Sequence, residues 1–191
     1  MQVSAFIPIK KYSHSKGRLA SILSEQQRSD LSKAMATQTI KALIQSNACD
    51  SITLVTNDPH LIIEGASTYF TESSLNQALN ESIASNESNN PILIMHADLP
   101  RINHRDIDNL VASFKESVIS IVPDIEESGT NCLLYDASMK FNLQFGINSY
   151  ALFLTEFQAN DYLWNQHSIE SLQYDLDSED DYFKLKDYVR G

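Results

Sequence analysis

The chain has 191 residues, of which 42% are hydrophobic, and a formal net charge of −11 at pH 7. This length suits one domain with a real core, and the hydrophobic fraction is typical of a folded protein. The acidic balance disfavours nucleic acid as a partner, because phosphate-backbone binding needs a broad basic face. No apolar run approaches the roughly 20 residues that cross a bilayer, so no membrane partner is expected. The first residues lack the basic region of a secretory signal, so we expect a cytoplasmic protein.

Strands and helices are predicted to alternate along the chain. The first strand covers residues 2–9, and Ser24 with Gln27 forms a capping box that starts a helix over 25–46. The elements expected next are a strand at 51–56, a brief helix at 59–64, a strand at 67–70, a helix at 74–86, a buried strand within 91–100, a helix at 103–116, strands at 117–123 and 131–135, a helix at 149–160, a strand at 168–176 and a closing helix at 178–189. This alternation predicts an α/β fold in which helices cover both faces of a mostly parallel sheet. We expect one domain over residues 1–191.

A cluster of cations follows the first predicted strand. Lys10, Lys11, Lys16 and Arg18 supply four of the fourteen Lys and Arg residues within nine positions, together with His14. The ligand crevice of a parallel sheet lies outside the carboxyl ends of its strands. An acidic protein that concentrates cations at this point is therefore expected to bind a small phosphorylated ligand there.

Carboxylates follow two later predicted strands. Asp98 ends a strongly apolar run, where it is either a turn-forming residue or a metal ligand. Asp175 and Asp177 are spaced i, i+2 at the end of a predicted strand, so their side chains should point to the same side. Two such carboxylates repel each other unless a cation lies between them, and oxygen ligands suit Mg²⁺ or Mn²⁺. The alternative is a solvated acidic turn before a capped helix.

Two polar turns contain glycine, which is one of the rarer residues of this chain. Gly129 precedes Thr130 and Asn131, and Gly146 lies three residues before Ser149. Such turns offer backbone N–H groups and hydroxyls to anionic oxygens, and a helix that begins near Ser149 would add its positive end. Ordinary loop chemistry is the alternative for either turn.

Six segments occur in the order seen in one enzyme family: PIKKYSHSKGRL, LNQAL, ILIMHADLP, ESGTNCLL, FGINS and YDLD. With these motifs the chain resembles the 2-phospho-L-lactate guanylyltransferases, which are similar to the molybdenum-cofactor guanylyltransferase. The resemblance extends from about residue 3 to about residue 181. It implies a three-layer αβα fold of the nucleotide-diphospho-sugar-transferase type, shared with type-A glycosyltransferases. The implied activity joins GMP from GTP to a small phosphorylated acid in the synthesis of coenzyme F-420.

The same resemblance implies roles for individual residues. The ligands of Mg²⁺, or of Mn²⁺, would be Asp98, Asp175 and Asp177. The phosphate and carboxylate of the acid would be surrounded by Lys10, Thr130, Gly146 and Ser149. The GTP phosphates would face Lys16 and Arg18, and the base and ribose would lie along Leu75, Asn76 and Ala78. The residues expected to act in catalysis are Lys10, Lys16, Arg18 and Asp98.

Several alternatives stay open at this point. The acid is 2-phospho-L-lactate, phosphoenolpyruvate or 3-phosphoglycerate, and the motif that often carries a basic residue in relatives here reads Ile125, Glu126 and Glu127. A type-A glycosyltransferase would also explain the Asp-x-Asp pattern at Asp175 and Asp177. A nucleotide-binding module without enzymatic activity is the third candidate. The expected partners are GTP and the acid, with a homodimer as the commonest soluble assembly.

Overall fold

The computed structural model of the chain describes residues 1–12 and 15–189, so His14, which was noted beside the cation cluster, lies outside the described residues. Its strands and α-helices follow in this order: β1 (Val3–Ile9), α1 (Glu25–Gln45), β2 (Cys49–Thr56), β3 (Ser67–Phe70), α2 (Leu75–Ala84), β4 (Ile92–Met95), α3 (His104–Ala112), β5 (Val118–Pro123), β6 (Thr130–Tyr135), α4 (Ser149–Ala159), β7 (Leu163–Gln166), α5 (Glu170–Gln173) and α6 (Glu179–Leu185). Short 3₁₀ helices cover Gly17–Leu19 and Lys186–Tyr188.

Helix starts follow local side-chain chemistry. The hydroxyl of Ser24 accepts a hydrogen bond from the backbone N–H of Gln27, whose side chain accepts one from the N–H of Ser24 in return. Asn103 caps α3, and Ser178 forms a second capping box with Asp181 at the start of α6. These caps satisfy N–H groups that would otherwise lack partners in the first turn. They confirm the predicted starts of these helices.

Within the described residues, seven strands form one sheet in the order β3-β2-β1-β4-β6-β5-β7. β6 is antiparallel to both β4 and β5, whereas every other neighbouring pair is parallel. The carboxyl ends of β1 to β5 therefore lie at one edge of the sheet, together with the amino end of β6. This arrangement brings Asp124, after β5, and Thr130, at the start of β6, to the same edge as Asp98.

The two faces of the sheet carry separate apolar cores. One core joins alternate residues of β1, such as Ile7, to Ile40 of α1 and Leu110 of α3. The other joins Phe6 to α2 and to Phe153 of α4. Neighbouring residues of a strand point to opposite faces, so the two cores produce three layers with helices on both sides. The mostly parallel α/β architecture predicted from the sequence is confirmed.

Three local predictions are wrong. No helix forms at residues 59–64, where the side chain of Asp58 accepts the N–H of His60 in a turn. The predicted strand at 168–176 contains the short helix α5, because β7 already occupies the edge beside β5. The sequence prediction did not include β7. α3 also ends at Ala112, four residues before the predicted end at residue 116.

No helix in residues 1–12 and 15–189 combines the length and the apolar character needed to cross a membrane.

Candidate active site

A cavity of about 1010 Å³, here called the cleft, lies at the shared edge of the sheet. The predicted site residues that line it are Lys10, Lys16, Arg18, Leu75, Ala78, Asp98, Thr130, Gly146, Ser149, Asp175 and Asp177. The cleft thus gathers segments from six regions of the chain, as expected for polar residues that follow strands in an α/β sheet. Asn76 lies outside the lining. Its side-chain amide donates to the carbonyl of Phe145 and accepts the N–H of the same residue, so it holds the turn before Gly146.

One wall of the cleft is built around the ammonium of Lys16. Lys16 Nζ lies 2.7 Å from Asp98 Oδ2 and 2.6 Å from Asp177 Oδ1, and the Lys16 side chain is only 7% exposed. Its backbone has a φ of 54°, a left-handed conformation that is uncommon outside glycine. The loop after β1 therefore turns this lysine inward, toward two carboxylates that are distant in sequence. We call Lys16, Asp98, Asp175 and Asp177 the carboxylate wall.

The charges of the carboxylate wall depend on one another. Burial alone would lower the pKa of Lys16, but the charges of Asp98 and Asp177 outweigh burial and raise that pKa. Burial would raise the pKa of Asp98, yet the Lys16 charge holds it below its ordinary value. Burial, with the nearby charges of Asp98 and Asp177, raises the pKa of Asp175 to about 7. Two carboxylates therefore contact a single ammonium with Asp175 close to both, and the wall favours further positive charge.

The segment that carries Asp175 and Asp177 is held against Asp98 by its backbone. The N–H of Leu176 donates to the carbonyl of Asp98 at 3.1 Å, and the Leu176 side chain is fully buried. The amide of buried Asn131 donates to the carbonyls of Leu172 and Gln173, both at 3.1 Å. Although this segment is not a strand, Leu176 points into the protein while its two acidic neighbours line the cleft.

The carboxylate wall supplies oxygen donors that suit a divalent cation, although these donors are not arranged around one ion. Among the described residues, no three His, Cys, Asp or Glu side chains are arranged as ligands of one ion. The Lys16 ammonium instead lies between two of the predicted ligands. Asp98 Oδ1 is nevertheless buried without a hydrogen-bond partner in the described part of the chain, and carboxylate oxygens are the ligands that Mg²⁺ prefers. Asp98, Asp175 and Asp177 therefore stay the predicted ligands.

A second wall of the cleft, here called the turn wall, is formed by the turns that contain Gly129 and Gly146. The carboxylate of Asp124 accepts the N–H of Ser128 at 2.8 Å and the N–H of Gly129 at 2.6 Å. The N–H of Gly129 is thus already paired, which differs from the anion-binding role expected for that group. The hydroxyl of Thr130, in contrast, is buried and has no hydrogen-bond partner in the described residues.

Gly146 and Ser149 complete the turn wall. Gly146 has a φ of 134°, a backbone conformation that residues other than glycine rarely adopt. Apart from its chain neighbours, no atom lies within 4 Å of the position that a Cβ would take. Ser149 is buried and is the first residue of α4, as predicted. A ligand at this wall would meet the hydroxyl of Thr130 and the positive end of α4.

The cations after β1 are divided by the fold. Lys10, Lys16 and Arg18 line the cleft, whereas Lys11 does not. The backbone N–H of Lys11 donates to the side chain of Asn57, which ties the loop to the end of β2. The cationic cluster predicted from the sequence therefore supplies three groups to the cleft.

Sequence reasoning missed several residues that line the cleft, and Asn131, Thr71 and Ser73 are three of them. Asn131 was seen only as part of a polar turn, although it fixes the carboxylate segment. Thr71 and Ser73 also line the cleft directly after β3. The available signal for these two hydroxyls was their position after a short predicted strand.

Comparisons with known proteins identify the family and the fold of the chain. The model of the family described as "Guanylyl transferase CofC like" matches residues 3–185. The phosphoenolpyruvate guanylyltransferase of Sphaerobacter thermophilus is 28% identical over 97% of this chain and 93% of that protein. The 2-phospho-L-lactate guanylyltransferase of Methanocella arvoryzae is 28% identical over 99% of this chain and 81% of that protein. Among solved structures, a nucleotidyl transferase from Methanothermobacter thermautotroptrophicus has the same fold, with a TM-score of 0.67, 14% identity, and 98% and 97% of the two chains covered.

Proposed function

Because the chain belongs to the Guanylyl transferase CofC-like family, we propose that it transfers GMP from GTP to the phosphate of a small phosphorylated acid and releases pyrophosphate. The relatives named above are guanylyltransferases of phosphoenolpyruvate and of 2-phospho-L-lactate. Those two acids and 3-phosphoglycerate are the candidate acceptors. The observation that carries the proposal is the contact of Lys16 with Asp98 and Asp177 in the same cleft as the unpartnered hydroxyl of Thr130.

The proposed step is a substitution at phosphorus. An oxygen of the acid's phosphate attacks the α-phosphorus of GTP and forms a new P–O bond. The bond from that phosphorus to the bridging oxygen of the β-phosphate breaks, and its electron pair leaves with pyrophosphate. A phosphate monoester has a second pKa of about 6, so it is mostly dianionic at pH 7 and needs no general base. The main difficulty is to hold two polyanions close together.

The carboxylate wall and Arg18 would reduce this repulsion at the triphosphate of GTP. Lys16 and Arg18 would contact the phosphates of GTP, where their positive charges offset the repulsion between the two substrates. Asp98, Asp175 and Asp177 would hold Mg²⁺ or Mn²⁺, which neutralises charge on the transferred group and the leaving group. Lys16 has a flexible four-carbon stem, so its ammonium is able to move from the carboxylates to the phosphates.

The turn wall would hold the acid. Lys10 supplies a positive charge at the mouth of the cleft, and Thr130 and Ser149 supply hydroxyls. Gly146 leaves open space beside them. These groups would fix the acid's phosphate in line with the α-phosphorus, which lowers the entropic cost of the reaction. Leu75 and Ala78 would lie along the nucleoside.

A pyrophosphate-release screen tests this proposal. The purified protein is mixed with MgCl₂, one of the three acids and one of the four nucleoside triphosphates, and reactions without acid serve as controls. We expect release with GTP and at least one acid, and loss of release when EDTA is added. Release of a nucleoside diphosphate from a nucleotide sugar would instead indicate a glycosyltransferase. If the protein binds nucleotide but shows no turnover with any of the acids, the proposal is contradicted.

The predicted homodimer is tested separately, by analytical ultracentrifugation of the same sample.

A further inference from the structure

Two hydroxyl groups in the cleft share one carboxylate. Thr71 and Ser73 follow β3 and line the cleft. The hydroxyl of Thr71 donates to Glu81 Oε2 at 3.1 Å, and the hydroxyl of Ser73 donates to Glu81 Oε1 at 2.9 Å. Glu81 lies on α2, which packs beside this end of the sheet. We call Thr71 and Ser73 the hydroxyl pair, and Glu81 is the carboxylate that both of them contact.

The carboxylate determines which way each hydroxyl hydrogen points. An ionised carboxylate only accepts hydrogen bonds, and a hydroxyl has one hydrogen to donate. A glutamate is ionised at neutral pH, and the hydrogen bond from Ser73 lowers the pKa of Glu81 further. With both hydrogens directed at Glu81, Thr71 and Ser73 can offer only oxygen lone pairs to a ligand. The hydroxyl of Thr71 also accepts the N–H of Ser73 at 3.2 Å, which fixes the turn between them.

The position of the pair suits the base of a nucleotide. β3 is separated from β4 by β2 and β1 in the sheet order, and Asp98 follows β4. Three strand spacings amount to roughly 14 Å, which is comparable to the length of an extended nucleoside monophosphate. Val55, Leu75 and Ala78 line the cleft at this end and offer apolar surface to a planar ring. A few placed polar groups on such apolar surface are what fixes the orientation of a small ligand.

We propose that Thr71 and Ser73 select guanine by accepting hydrogen bonds from its N1–H and its N2 amino group, and that Glu81 is a positioning residue that holds both hydroxyls as acceptors. This inference rests on the proposed function, because it assumes a nucleotide whose phosphates lie at the carboxylate wall. Guanine alone among the four common bases has two adjacent donors on its Watson–Crick edge. Adenine would place its N1 acceptor against these oxygens, which leaves buried polar groups unpaired and disfavours binding.

Titration calorimetry with GTP, ATP and ITP, in Mg²⁺ and without any acid, tests the inference independently of turnover. The wild-type protein should bind GTP at least about 100-fold more tightly than ATP, because a site that hydrogen-bonds its ligand rejects an analogue that lacks the partner groups. ITP keeps the N1–H but lacks the N2 amino group, so it should bind about tenfold more weakly than GTP.

Glu81→Gln is the decisive variant. Its amide donates a hydrogen bond to one hydroxyl, which then turns its own hydrogen toward the cleft, so the GTP-to-ATP ratio should fall by about 10- to 100-fold. Thr71→Val and Ser73→Ala each remove one hydrogen-bond acceptor. Each variant should bind GTP more weakly, while its affinity for ATP stays nearly unchanged. Glu72→Gln and Thr68→Val are matched controls, because they make the same chemical changes at exposed neighbours outside the cleft lining. Both controls should keep the wild-type ratio.

The outcomes separate this inference from the proposed function. An unchanged GTP-to-ATP ratio in Glu81→Gln and in both hydroxyl variants overturns the role of the pair, even if the wild-type protein transfers GMP. A wild-type protein that prefers GTP but transfers no GMP to any acid overturns the proposed function and leaves the base selection supported. If Glu81→Gln fails to fold in a thermal melt, the two single hydroxyl variants decide the matter.

Discussion

The two walls of the cleft are held together in different ways. The carboxylate wall joins residues that are far apart in sequence, since Lys16 meets a partner 82 residues away and another 161 residues away. In the turn wall the contacts of Asp124 are local, since its carboxylate accepts hydrogen bonds from backbone groups only four and five residues ahead. The first wall is charged, and the Lys16 side chain in it is only 7% exposed, whereas the second presents the uncharged hydroxyl of Thr130. This difference suggests that one wall manages the charge of a triphosphate while the other positions a small anion.

The largest expected effect is on the carboxylate wall at Asp98. Asp98→Asn removes a charge from the predicted ion site, so GMP transfer should fall by at least about a thousandfold. Pyrophosphate release under saturating substrates measures this loss. Asp180→Asn, at an exposed acidic position of α6, is the control and should keep nearly full activity. Undiminished turnover in Asp98→Asn would remove this residue from the mechanism.

The next effect concerns Lys16 and Arg18, the two cations predicted to contact GTP. Arg18→Ala removes a charge that we propose to face the phosphates of GTP, so KM for GTP should rise by about 10- to 100-fold while KM for the acid changes by less than about threefold. Lys16→Met should weaken the binding of GTP to a similar extent. It should also tighten Mn²⁺ binding in the absence of nucleotide, because no ammonium then competes for Asp98 and Asp177. Steady-state kinetics and Mn²⁺ titration by electron paramagnetic resonance measure these effects, and an equal loss for both substrates would contradict the division between the walls.

A smaller and opposite pattern is expected at the turn wall. Thr130→Val preserves the shape of the side chain and removes a hydroxyl that has no partner in the described protein. KM for the acid should rise by about tenfold with little change for GTP. The melting temperature should stay the same or rise, because an unpaired buried polar group has been replaced by an apolar one. A variant that loses stability and leaves KM for the acid unchanged would show that this hydroxyl is structural.

The smallest effect is expected at Gly129. A Cβ at this position would lie 2.8 Å from Asp124 Oδ2, whereas a Cβ at Gly17 meets no atom within 4 Å. Gly129→Ala should therefore lower the free energy of unfolding by about 1 kcal/mol and raise KM for the acid by a few-fold. Gly17→Ala is the matched control for stability, and thermal melts compare the two. Equal stability of the two variants would show that the Asp124 turn adapts without cost.

Much of the cleft could be predicted because its parts follow a simple rule. Polar residues after apolar strands meet at one edge of the sheet, and this rule brought Lys10, Asp98 and Thr130 together. The reversed direction of β6 also had a signal in the sequence. Only residues 124–129 separate β5 from β6, which is too short for the crossover that parallel strands need.

Other features depend on contacts that no local pattern carries. The inward position of Lys16 requires partners from two distant segments. The hydrogen bonds of Asn131 to the carbonyls of Leu172 and Gln173 join residues that are about 40 positions apart in sequence. The four residues of β7 contain too little periodicity to indicate a strand, so the following segment was predicted in its place. Helix caps were easier, because Ser24 and Ser178 act on residues three positions ahead.

The most direct test of the proposed chemistry is phosphorus-31 NMR of the wild-type protein with GTP, MgCl₂ and each acid in turn. With the accepted acid, we predict that the acid's phosphate signal disappears and two coupled signals of a new P–O–P linkage grow together with pyrophosphate. If GTP is consumed while the phosphate signal of every acid stays unchanged, the acid is not the acceptor, and guanylyl transfer to phosphorylated acids is contradicted.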